Sequence, residues 1–527
     1  MNQFVGNPPY ILSIVYKISG VYSNRFSQFR SKAIMTTEEK QSTLDLVASL
    51  CKALKDEKIN YCHWKSNVAI DRSASGENDL DLLVSRADAQ RFIGILMQLD
   101  FKEAFLTKGG QLPGTRDYYG YDQKADRIIH AHVHFQLVLG HDLSKNYHIP
   151  IENPFLESAT QGGLFRIPAP EFELAIFVVR MVLKHSTLDA IIMGHGTLSA
   201  SERRELEVLQ SLTTLTKVAA VFDQHLPCVD NNLFEACLRS LQPGCSFWKR
   251  IVAGQQLQQK LRSCARRPLI GDTVLKFSQR IILPIQSRLH ACEPKKHLIK
   301  GGLLIAVVGG DGSGKTTVVN SLYARIFEEF EIAKFHMGKP SWSWTTFWIR
   351  GIIKIGRMLG FYPFVKEGSE SSFDTNIPIF PGYPWLIREV CTARDRFLTY
   401  TAARRLATNG CLVICDRYPL AEVKKMDGPQ VERITHGMHS NKLIKALAGL
   451  ENQYYEQIML PDLLIVLRVA PDIAVQRKTD EPAESVRSRA GEVWNVDWGN
   501  TPAHIVDASR TKTEIHSDLM ALIWSYL

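Results

Sequence analysis

The sequence contains no long hydrophobic run. None of its apolar stretches approaches the ~18–20 residues that are needed to span a bilayer. Its ten cysteines are scattered, without a C-x-x-C pair and without a cysteine/histidine set at zinc spacing. The 45% hydrophobic and 22% charged residues are ordinary for a globular protein. We therefore expect an intracellular, cytoplasmic protein with reduced cysteines, and its 527 residues predict several domains.

Acidic residues are scarce in two places. Residues 1–34 contain four Lys/Arg and no Asp or Glu, and we treat them as a leader of uncertain role because Met35 could be the true start. Between Lys249 and Lys300 there are twelve Lys/Arg but only two acidic residues, a surplus of 10 that accounts for the net charge of +9. This pattern predicts a basic connector over 246–299, either solvated or in contact with an acidic surface or nucleic acid. Specific nucleic-acid binding is not expected.

Glycine, by contrast, is concentrated in one loop. Gly309 to Thr316 has the pattern G-x-x-x-x-G-K-T and follows the apolar run 303–308. Glycines let the backbone point its N–H groups at phosphate oxygens, Lys315 can reach the β- and γ-phosphates, and the Thr316 hydroxyl can bind Mg²⁺. The sequence therefore predicts ATP and Mg²⁺ as cofactors. The predicted nucleotide site consists of Gly309, Gly310, Asp311, Gly312, Ser313, Gly314, Lys315, Thr316 and Thr317.

Strands and helices alternate after residue 300. Apolar runs predict strands at 303–308, 331–336, 411–415, 463–468 and 504–507, and helical spacing predicts helices at 315–329, 385–408, 441–458, 472–478 and 511–526. This alternation indicates an α/β fold in which a parallel sheet has helices on both faces. Ligands are expected at the carboxyl ends of its strands. We assign residues 300–527 to a single P-loop domain.

Charged residues follow the predicted strands. Asp416 comes directly after the apolar strand 411–415 and could hold Mg²⁺ together with Thr316. Arg417 beside it, and Arg396 on the preceding helix, could bind the phosphate of an acceptor.

These motifs, in this order, resemble those of thymidylate kinases, the nucleoside monophosphate kinase branch of P-loop proteins. The resemblance covers residues 300–527 and rests on G-x-D-G-x-G-K-T, an arginine-bearing helix, D-R-Y, and P-D-L followed by an arginine-rich lid and V-D-A. It implies transfer of the ATP γ-phosphoryl to a nucleoside monophosphate such as dTMP, and a homodimer. It also implies catalytic roles for Lys315, Asp416, Arg477, Arg487 and Arg489, and acceptor binding by Asp311, Arg396 and Arg417.

Three departures from the family bear on the acceptor. Thr392 occupies the position of an aromatic residue that stacks on thymine, residues 419–425 lack the Ser/Gln-bearing helix that contacts the base, and a long insert runs from Lys339 to Trp385. We therefore expect dTMP to be a poor acceptor. Two alternatives stay open: a kinase-fold phosphotransferase that acts on a sugar or glycan-biosynthesis intermediate, and an ATP-binding regulatory protein.

The first half of the chain carries a possible second metal site. Asp79 and Asp81 alternate with leucines, so that on a strand both carboxylates share one face and could bind Mg²⁺. His130, His132 and His134 alternate in the same way and could also bind metal.

This pattern resembles the nucleotidyltransferase superfamily over about residues 45–185. Lys65-Ser66 stands in place of the superfamily's Gly-Ser turn, and histidines stand where it has a third carboxylate. The resemblance implies an α+β domain over 35–160 that serves either nucleotidyl transfer or, as a retained fold, binding or regulation. Leucine-rich spacing predicts a helical subdomain over 161–245, with a capping box at Ser199 and Glu202.

The insert contains a stretch dense in aromatic and aliphatic residues, 341–364. On a helix, Arg350, Lys354 and Arg357 form a basic stripe, while Trp348 and Ile352 lie on another face together with Ile355 and Leu359. The pattern is typical of a helix at the surface of a membrane, here the inner membrane surface, but also of a helix packed on the kinase core.

Overall fold

The structure is a computed structural model that describes residues 42–106, 112–141, 144–187, 190–191, 197–290, 295–359, 382–420, 422–423, 428–435 and 441–527. The predicted leader 1–34 lies outside these residues, as do residues 360–364 of the aromatic stretch and part of 419–425. The described chain divides into two compact units. The first unit contains the described residues within 1–95, 112–115 and 130–291, and the second unit those within 96–111, 116–129 and 292–527. The domain boundaries set at 160, 245 and 299 stay predictions.

The helices and strands of the two halves of the chain are as follows. Up to residue 290 they are α1 (Asp45–Asp56), β1 (Tyr61–His63), α2 (Ile70–Ala74), β2 (Leu80–Val84), α3 (Ala89–Gln98), β3 (Lys102–Leu106), β4 (Thr115–Asp122), β5 (Arg127–His134), β6 (Val138–Leu139), β7 (Tyr147–His148), α4 (Glu152–Glu157), β8 (Thr160–Gly162), β9 (Phe165–Ile167), α5 (Pro170–His185), α6 (Ala200–Leu212), α7 (Leu215–His225), α8 (Asn231–Ser240), α9 (Phe247–Lys260) and α10 (Leu269–His290). Beyond residue 290 they are β10 (Lys296–Leu298), β11 (Leu304–Gly309), α11 (Lys315–Phe327), β12 (Ile332–His336), α12 (Trp344–Met358), α13 (Tyr383–Thr408), β13 (Leu412–Asp416), α14 (Val431–Ile434), α15 (Lys442–Glu456), β14 (Leu463–Arg468), α16 (Pro471–Arg477), α17 (Ala483–Asn495), β15 (Ala503–Asp507) and α18 (Lys512–Tyr526).

Strands of the first unit carry the aspartates and histidines singled out in the sequence. β1 runs antiparallel to β2, and β2 runs parallel to β5. The register places Asp81 opposite His132 and Leu83 opposite His134. Functional side chains on two neighbouring strands therefore lie side by side.

Helix α5 is the centre of the helical part of the first unit. Eleven of its sixteen residues are buried, because α6, α7, α8 and α9 pack around it. The predicted capping box is confirmed at the start of α6: the Ser199 hydroxyl accepts from the Glu202 N–H, and the Glu202 carboxylate accepts from the Ser199 N–H. Within the stretch predicted as a connector, α9 contributes Ile251 and Leu257 to this unit's buried residues.

The second unit is built on a five-stranded sheet in the order β12-β13-β11-β14-β15. All four strand pairs are parallel, which confirms the predicted α/β fold. The three central strands β13, β11 and β14 are short and mostly apolar, as expected for strands that are covered on both faces, whereas the edge strands β12 and β15 are only partly buried. The unit also contains β3, which pairs antiparallel with β4 and with β10.

Two separate cores lie on the two faces of this parallel sheet. Alternate side chains of β11, such as Ile305 and Val307, pack with Leu322 of α11 and Leu519 of α18. The intervening side chains, Leu304, Ala306 and Val308, pack in the other core, which includes residues of α13. The loops after β11 and β13 therefore emerge at one edge of a rigid layer, where the predicted phosphate-binding residues lie.

Candidate functional site

The glycine-rich loop joins β11 to α11 through backbone conformations that side chains rarely adopt. Gly312 and Gly314 have φ angles of +76° and +84°, in the left-handed region that favours glycine. A Cβ atom at Gly310 would lie 2.6 Å from the Cα atom of Ala490, and one at Gly312 would lie 2.5 Å from the carbonyl oxygen of Ala474. Two helices after β14, α16 and α17, therefore pack directly against this loop.

Lys315 is the first residue of α11 and is buried. Its ammonium group lies over the loop, where Nζ donates to the carbonyl oxygens of Gly309 and Gly310, each at 2.7 Å. An anion held by the loop N–H groups at this helix N-terminus would lie within reach of the same ammonium group. Thr316 and Thr317, which follow it, are exposed.

Asp416 ends β13, the neighbour of β11, and is buried. Its backbone carbonyl accepts from the Met337 N–H, but its Oδ1 atom has no hydrogen-bond partner among the described residues. A buried carboxylate oxygen without a partner is costly unless a cation or a donor reaches it. This oxygen and the Thr316 hydroxyl are the ligand types that Mg²⁺ takes beside a nucleotide.

The Asp311 carboxylate in the loop is surrounded by three cationic side chains. Its buried carboxylate lies 3.0 Å from Nε of Arg489, 3.4 Å from Nη2 of Arg417 and 3.7 Å from Nζ of Lys478. Glu481 binds two of these cations, with 2.6 Å to Lys478 and a direct contact to Arg489. Two acids therefore hold three cations from different elements at one point.

The structure separates the three arginines that the sequence assigned to a lid. Arg489 reaches Asp311, as described above. Arg477 instead donates to the carbonyl oxygen of Ala508 at 2.8 Å, and Arg487 pairs with the exposed Asp472 at 2.7 Å. Only one of the three thus lies against the glycine-rich loop. Lys478 and Glu481 complete the cluster and were not assigned to the site from the sequence, although both lie within the charged stretch that follows α16.

Arg396 on α13 is buried and held by the protein itself. Its Nε donates to the carbonyl oxygen of Met337 at 3.0 Å, and its Nη1 donates to the hydroxyl of Tyr455 on α15. Burial raises the pKa of Tyr455 to about 12, against the opposing effect of Arg396, so this hydroxyl stays protonated. Tyr455 was missed in the sequence because no local pattern connects it to Arg396.

The residues around Arg396 define the surroundings of a predicted acceptor. The Thr392 hydroxyl donates to the backbone carbonyl of Arg388 at 2.9 Å and so is turned back onto its own helix. Asp395 is buried, and its Oδ2 atom accepts from the Ser343 N–H and from the Thr346 hydroxyl at the start of α12. The helix that carries Arg396 therefore also anchors the insert.

In the first unit, a second cluster forms where β2 meets β5. Oδ1 of Asp81 lies 2.7 Å from Nζ of Lys65 and 3.3 Å from Nδ1 of His132, which in turn lies 3.3 Å from Nε2 of His134. Asp79 instead pairs with His130, at 3.1 Å. One ligand atom each from Asp81, His132 and His134 lies within 4.8 Å of the others, so these three could hold a metal ion.

Charge at this cluster is set by burial and by the neighbouring cations. Burial opposes ionisation of Asp81, but Lys65 and His132 together hold its pKa well below the usual range. Burial lowers the pKa of His134, and the adjacent His132 adds to this effect, so His134 is neutral. A neutral imidazole and an ionised carboxylate are the forms in which these side chains bind metals.

The chain is similar to bacterial proteins that are described as ATP-binding. The chain is 28% identical to the "Uncharacterized ATP-binding protein YghR" of Escherichia coli K12 over 229 residues, which cover 42% of this chain and 86% of that protein. The YghR protein of E. coli O6:H1 strain CFT073 matches to the same extent. The "Uncharacterized ATP-binding protein YghS" of E. coli K12 is 29% identical over 190 residues, which cover 35% of this chain and 77% of that protein. No family model matches the chain.

Proposed function

We propose that this protein binds ATP and transfers its γ-phosphoryl group to a small acceptor, as a phosphotransferase of the nucleoside monophosphate kinase type. The observation that carries the proposal is the buried Lys315 at the end of a glycine-rich loop, beside a parallel strand that ends in the buried Asp416. Relatives that are described as ATP-binding proteins support the nucleotide. Positioning and charge stabilisation are most of what phosphoryl transfer asks of a protein.

The glycine-rich loop, the start of α11 and the end of β13 have separate roles in this proposal. The loop N–H groups and Lys315 bind the β- and γ-phosphates, and Lys315 exchanges the carbonyl oxygens it now contacts for phosphate oxygens. Thr316 and Asp416 would hold Mg²⁺, since the unpartnered Oδ1 of Asp416 suits a hard cation. The ion, when bound, neutralises charge on the phosphates.

The cations around Asp311 would act on the transferred group. Arg489 and Lys478 are held above the loop by Asp311 and Glu481, so their positive charge is in place before reaction. Fixed charge that does not have to reorganise is the most effective kind in catalysis. Arg417 belongs to the same cluster and, with Arg396, would orient the phosphate of the acceptor.

The acceptor class that the resemblance to thymidylate kinases suggests first is a nucleoside monophosphate. Thr392 favours a different acceptor, because its small side chain bonds its own helix and offers no ring on which a base could stack. We therefore keep a sugar or a glycan-biosynthesis intermediate as the second candidate acceptor. Loss of base stacking and base hydrogen bonds costs about 2–4 kcal/mol in discrimination.

The proposal is tested with the purified full chain, ATP and Mg²⁺ against a panel of nucleoside monophosphates and sugars, with ADP release as the readout. We expect turnover with at least one acceptor, and saturation by dTMP only at concentrations well above micromolar. Lys315→Ala should reduce turnover by at least about 10³-fold while circular dichroism stays unchanged. Wild-type turnover in Lys315→Ala would show that the loop does not perform the reaction.

A matched pair of arginine variants tests whether the effect is specific to Arg489 or follows from the loss of any arginine. Arg489→Gln should lower kcat by about 10²-fold, because it removes charge that is positioned over the phosphates. Arg510→Gln removes an arginine of an exposed pair with Asp518 and should leave kcat within about twofold. Equal effects of the two substitutions would argue against the assigned role of Arg489.

A further inference from the structure

Helix α12 presents an apolar face to solvent. Seven side chains on this face are exposed, with exposed fractions of 80% for Trp344, 65% for Trp348 and 75% for Met358. The full set, called the apolar stripe below, is Trp344, Phe347, Trp348, Ile352, Ile355, Met358 and Leu359. The spacing of these residues keeps them on one side of the helix.

The opposite side of α12 is fixed to the protein. Thr346 and Ile353 are buried, and α12 packs against α13. The carboxylate of Asp395 on α13 accepts from the Ser343 N–H at 3.2 Å and from the Thr346 hydroxyl at 2.6 Å, which satisfies donors at the N-terminus of α12. The helix therefore uses its more polar face for packing and is anchored with its tryptophans outward.

An exposed surface of this kind points to a partner. A soluble protein rarely leaves a contiguous apolar patch of more than a few hundred Å² in water, and larger patches mark sites of interaction. Two tryptophans and one phenylalanine make up almost half of the stripe. Aromatic side chains of this type are enriched where one end of the ring lies in an apolar phase and the other in water, as at a membrane interface.

Charge on the segment distinguishes among the possible partners. Residues 339–359 contain four cations, Lys339, Arg350, Lys354 and Arg357, and no acidic residue. Lys354 is exposed at the edge of the stripe, and the guanidinium of Arg350 stacks over the ring of Trp342 at 4.4 Å. Cations beside an apolar face attract anionic headgroups, whereas a second copy of the same face would bring like charges together.

We propose that the apolar stripe of α12 docks on an anionic lipid surface, with the helix lying in the plane of the interface. No helix among the described residues has the length and apolar character needed to cross a membrane. Burial of the seven side chains supplies the apolar contribution, and Lys354 supplies part of the electrostatic one. This docking does not depend on the phosphotransferase proposal.

Docking also bears on the acceptor, and this second step does rest on the proposed function. Asp395, which anchors α12, directly precedes Arg396 in the predicted acceptor site. A helix that lies in a lipid interface would hold this part of the second unit close to the headgroups. The structure thus favours an acceptor that is itself carried on a lipid.

The docking is tested by co-sedimentation of the full chain with vesicles of phosphatidylcholine alone or with 30% phosphatidylglycerol, without ATP. The stripe variant carries Trp344→Ser, Trp348→Ser and Ile352→Ser. Its control carries Leu398→Ser, Leu443→Ser and Met459→Ser, which are apolar positions of the second unit outside the stripe that are each at least half exposed. Because all six positions are exposed, both variants should fold.

We expect the wild type and the control to bind the anionic vesicles, and the stripe variant to bind at least about tenfold more weakly. Lys354→Glu should weaken binding to anionic vesicles but not to neutral ones. Equal binding of the stripe variant and the control would overturn the proposal. A wild-type chain that does not bind anionic vesicles would also overturn it, whether the chain self-associates through the stripe or stays monomeric.

Since the vesicle measurement needs no ATP, its failure and that of the phosphotransferase proposal are distinguishable. If the chain binds lipid but shows no turnover with any acceptor, only the proposed reaction is in doubt. If turnover occurs with soluble acceptors and vesicles are not bound, both the docking proposal and the lipid-borne acceptor are contradicted.

Discussion

Lys65 controls which ligand the cluster of the first unit can bind. Its ammonium lies 2.7 Å from Asp81, on the carboxylate oxygen that also faces His132. The 3.3 Å separations from Asp81 to His132 and from His132 to His134 are about the edge of a tetrahedron around an ion with ~2.0 Å bonds. The geometry thus suits Zn²⁺ better than the Mg²⁺ predicted for Asp79 and Asp81, but the lysine already supplies a positive charge there.

We therefore predict that Lys65→Gln raises the affinity of the full chain for Zn²⁺ or Co²⁺ by at least about tenfold. An ammonium group this close to a ligand repels a divalent ion, and an amide does not. Isothermal titration and the visible absorption of bound Co²⁺ measure the change.

The matched control for this experiment is Lys65→Gln combined with His132→Ala, which should lose the gain. Unchanged affinity in Lys65→Gln would mean that the three side chains form a hydrogen-bonded structural cluster and not a metal site.

Some residues of the predicted nucleotide site could be predicted from the sequence and others could not. Lys315 and Asp416 follow from local patterns, because a loop motif and the end of an apolar strand fix their positions within a few residues. The pairing of Arg489 with Asp311 joins residues that are far apart in the chain, so no spacing predicted which lid arginine would reach the loop. Tyr455 behind Arg396 depends in the same way on how α13 and α15 pack.

Among the elements, α12 is held at its start by side chains of α13. Asp395, which is almost completely buried, accepts from the Ser343 N–H directly before the helix and from the Thr346 hydroxyl in its first turn. Arg394 donates to the hydroxyls of Ser343 and Thr345. A buried donor that loses its acceptor typically costs about 1–3 kcal/mol in stability.

We predict that Asp395→Ala increases amide hydrogen exchange in residues 344–358 while leaving β11 and β13 protected. The Ser343 N–H and the Thr346 hydroxyl at the start of α12 would lose their acceptor, whereas the strands do not contact this carboxylate. Hydrogen-exchange mass spectrometry resolves the two regions.

A suitable control is Asp472→Ala, which removes an exposed acid from the first turn of α16. Unaltered exchange across α12 in Asp395→Ala would show that packing against α13 alone fixes the helix.

The elements of the second unit were largely predictable, and the reason is physical. Short strand-like runs between amphipathic stretches favour a parallel sheet with helices between its strands, and the structure places β11 to β15 within one residue of the predicted positions. The contribution of β3 and β4 to this unit was not predicted, because their association with β10 involves residues almost two hundred positions apart. The outward orientation of α12 was one of two alternatives, since its spacing does not say which face finds a neighbour.

Across the whole molecule, three buried glutamates give stability an unusual dependence on pH. Burial raises the pKa of Glu173 to about 7, and it raises those of Glu205 and Glu451 as well. Between the unfolded value of 4.5 and the folded value of about 7, native Glu173 retains a proton that the unfolded chain has released. The free energy of unfolding therefore falls as the pH rises through this window and stays reduced above it.

We predict that Glu173→Gln makes the protein more stable than the wild type above pH 7, by up to about 3 kcal/mol, and equally stable at pH 4 and below. The amide oxygen of glutamine can still accept the hydrogen bond that Asn67 donates to Glu173 at 2.9 Å. Urea denaturation at pH 4, 6, 7 and 8 gives the comparison.

Glu207→Gln, at an exposed position of α6, is the control. Its free energy of unfolding should differ from that of the wild type by the same amount at every pH. A constant difference between Glu173→Gln and the wild type over all four pH values would contradict the assigned protonation.

The apolar stripe also gives the protein an internal optical probe. Of its nine tryptophans, Trp344 and Trp348 lie in the stripe with Trp342 beside them, whereas Trp64, Trp498 and Trp524 are buried. An indole ring in water fluoresces at longer wavelength than one in an apolar phase and is open to quenching by dissolved iodide. The unlabelled chain should therefore emit a mixture of a red, quenchable component, from the stripe and from the exposed Trp248 and Trp342, and a blue, protected component from the interior. Contact of the stripe with lipid would shift the contribution of Trp344 and Trp348 from the first component to the second, so the change in emission wavelength reports occupancy of this face in real time.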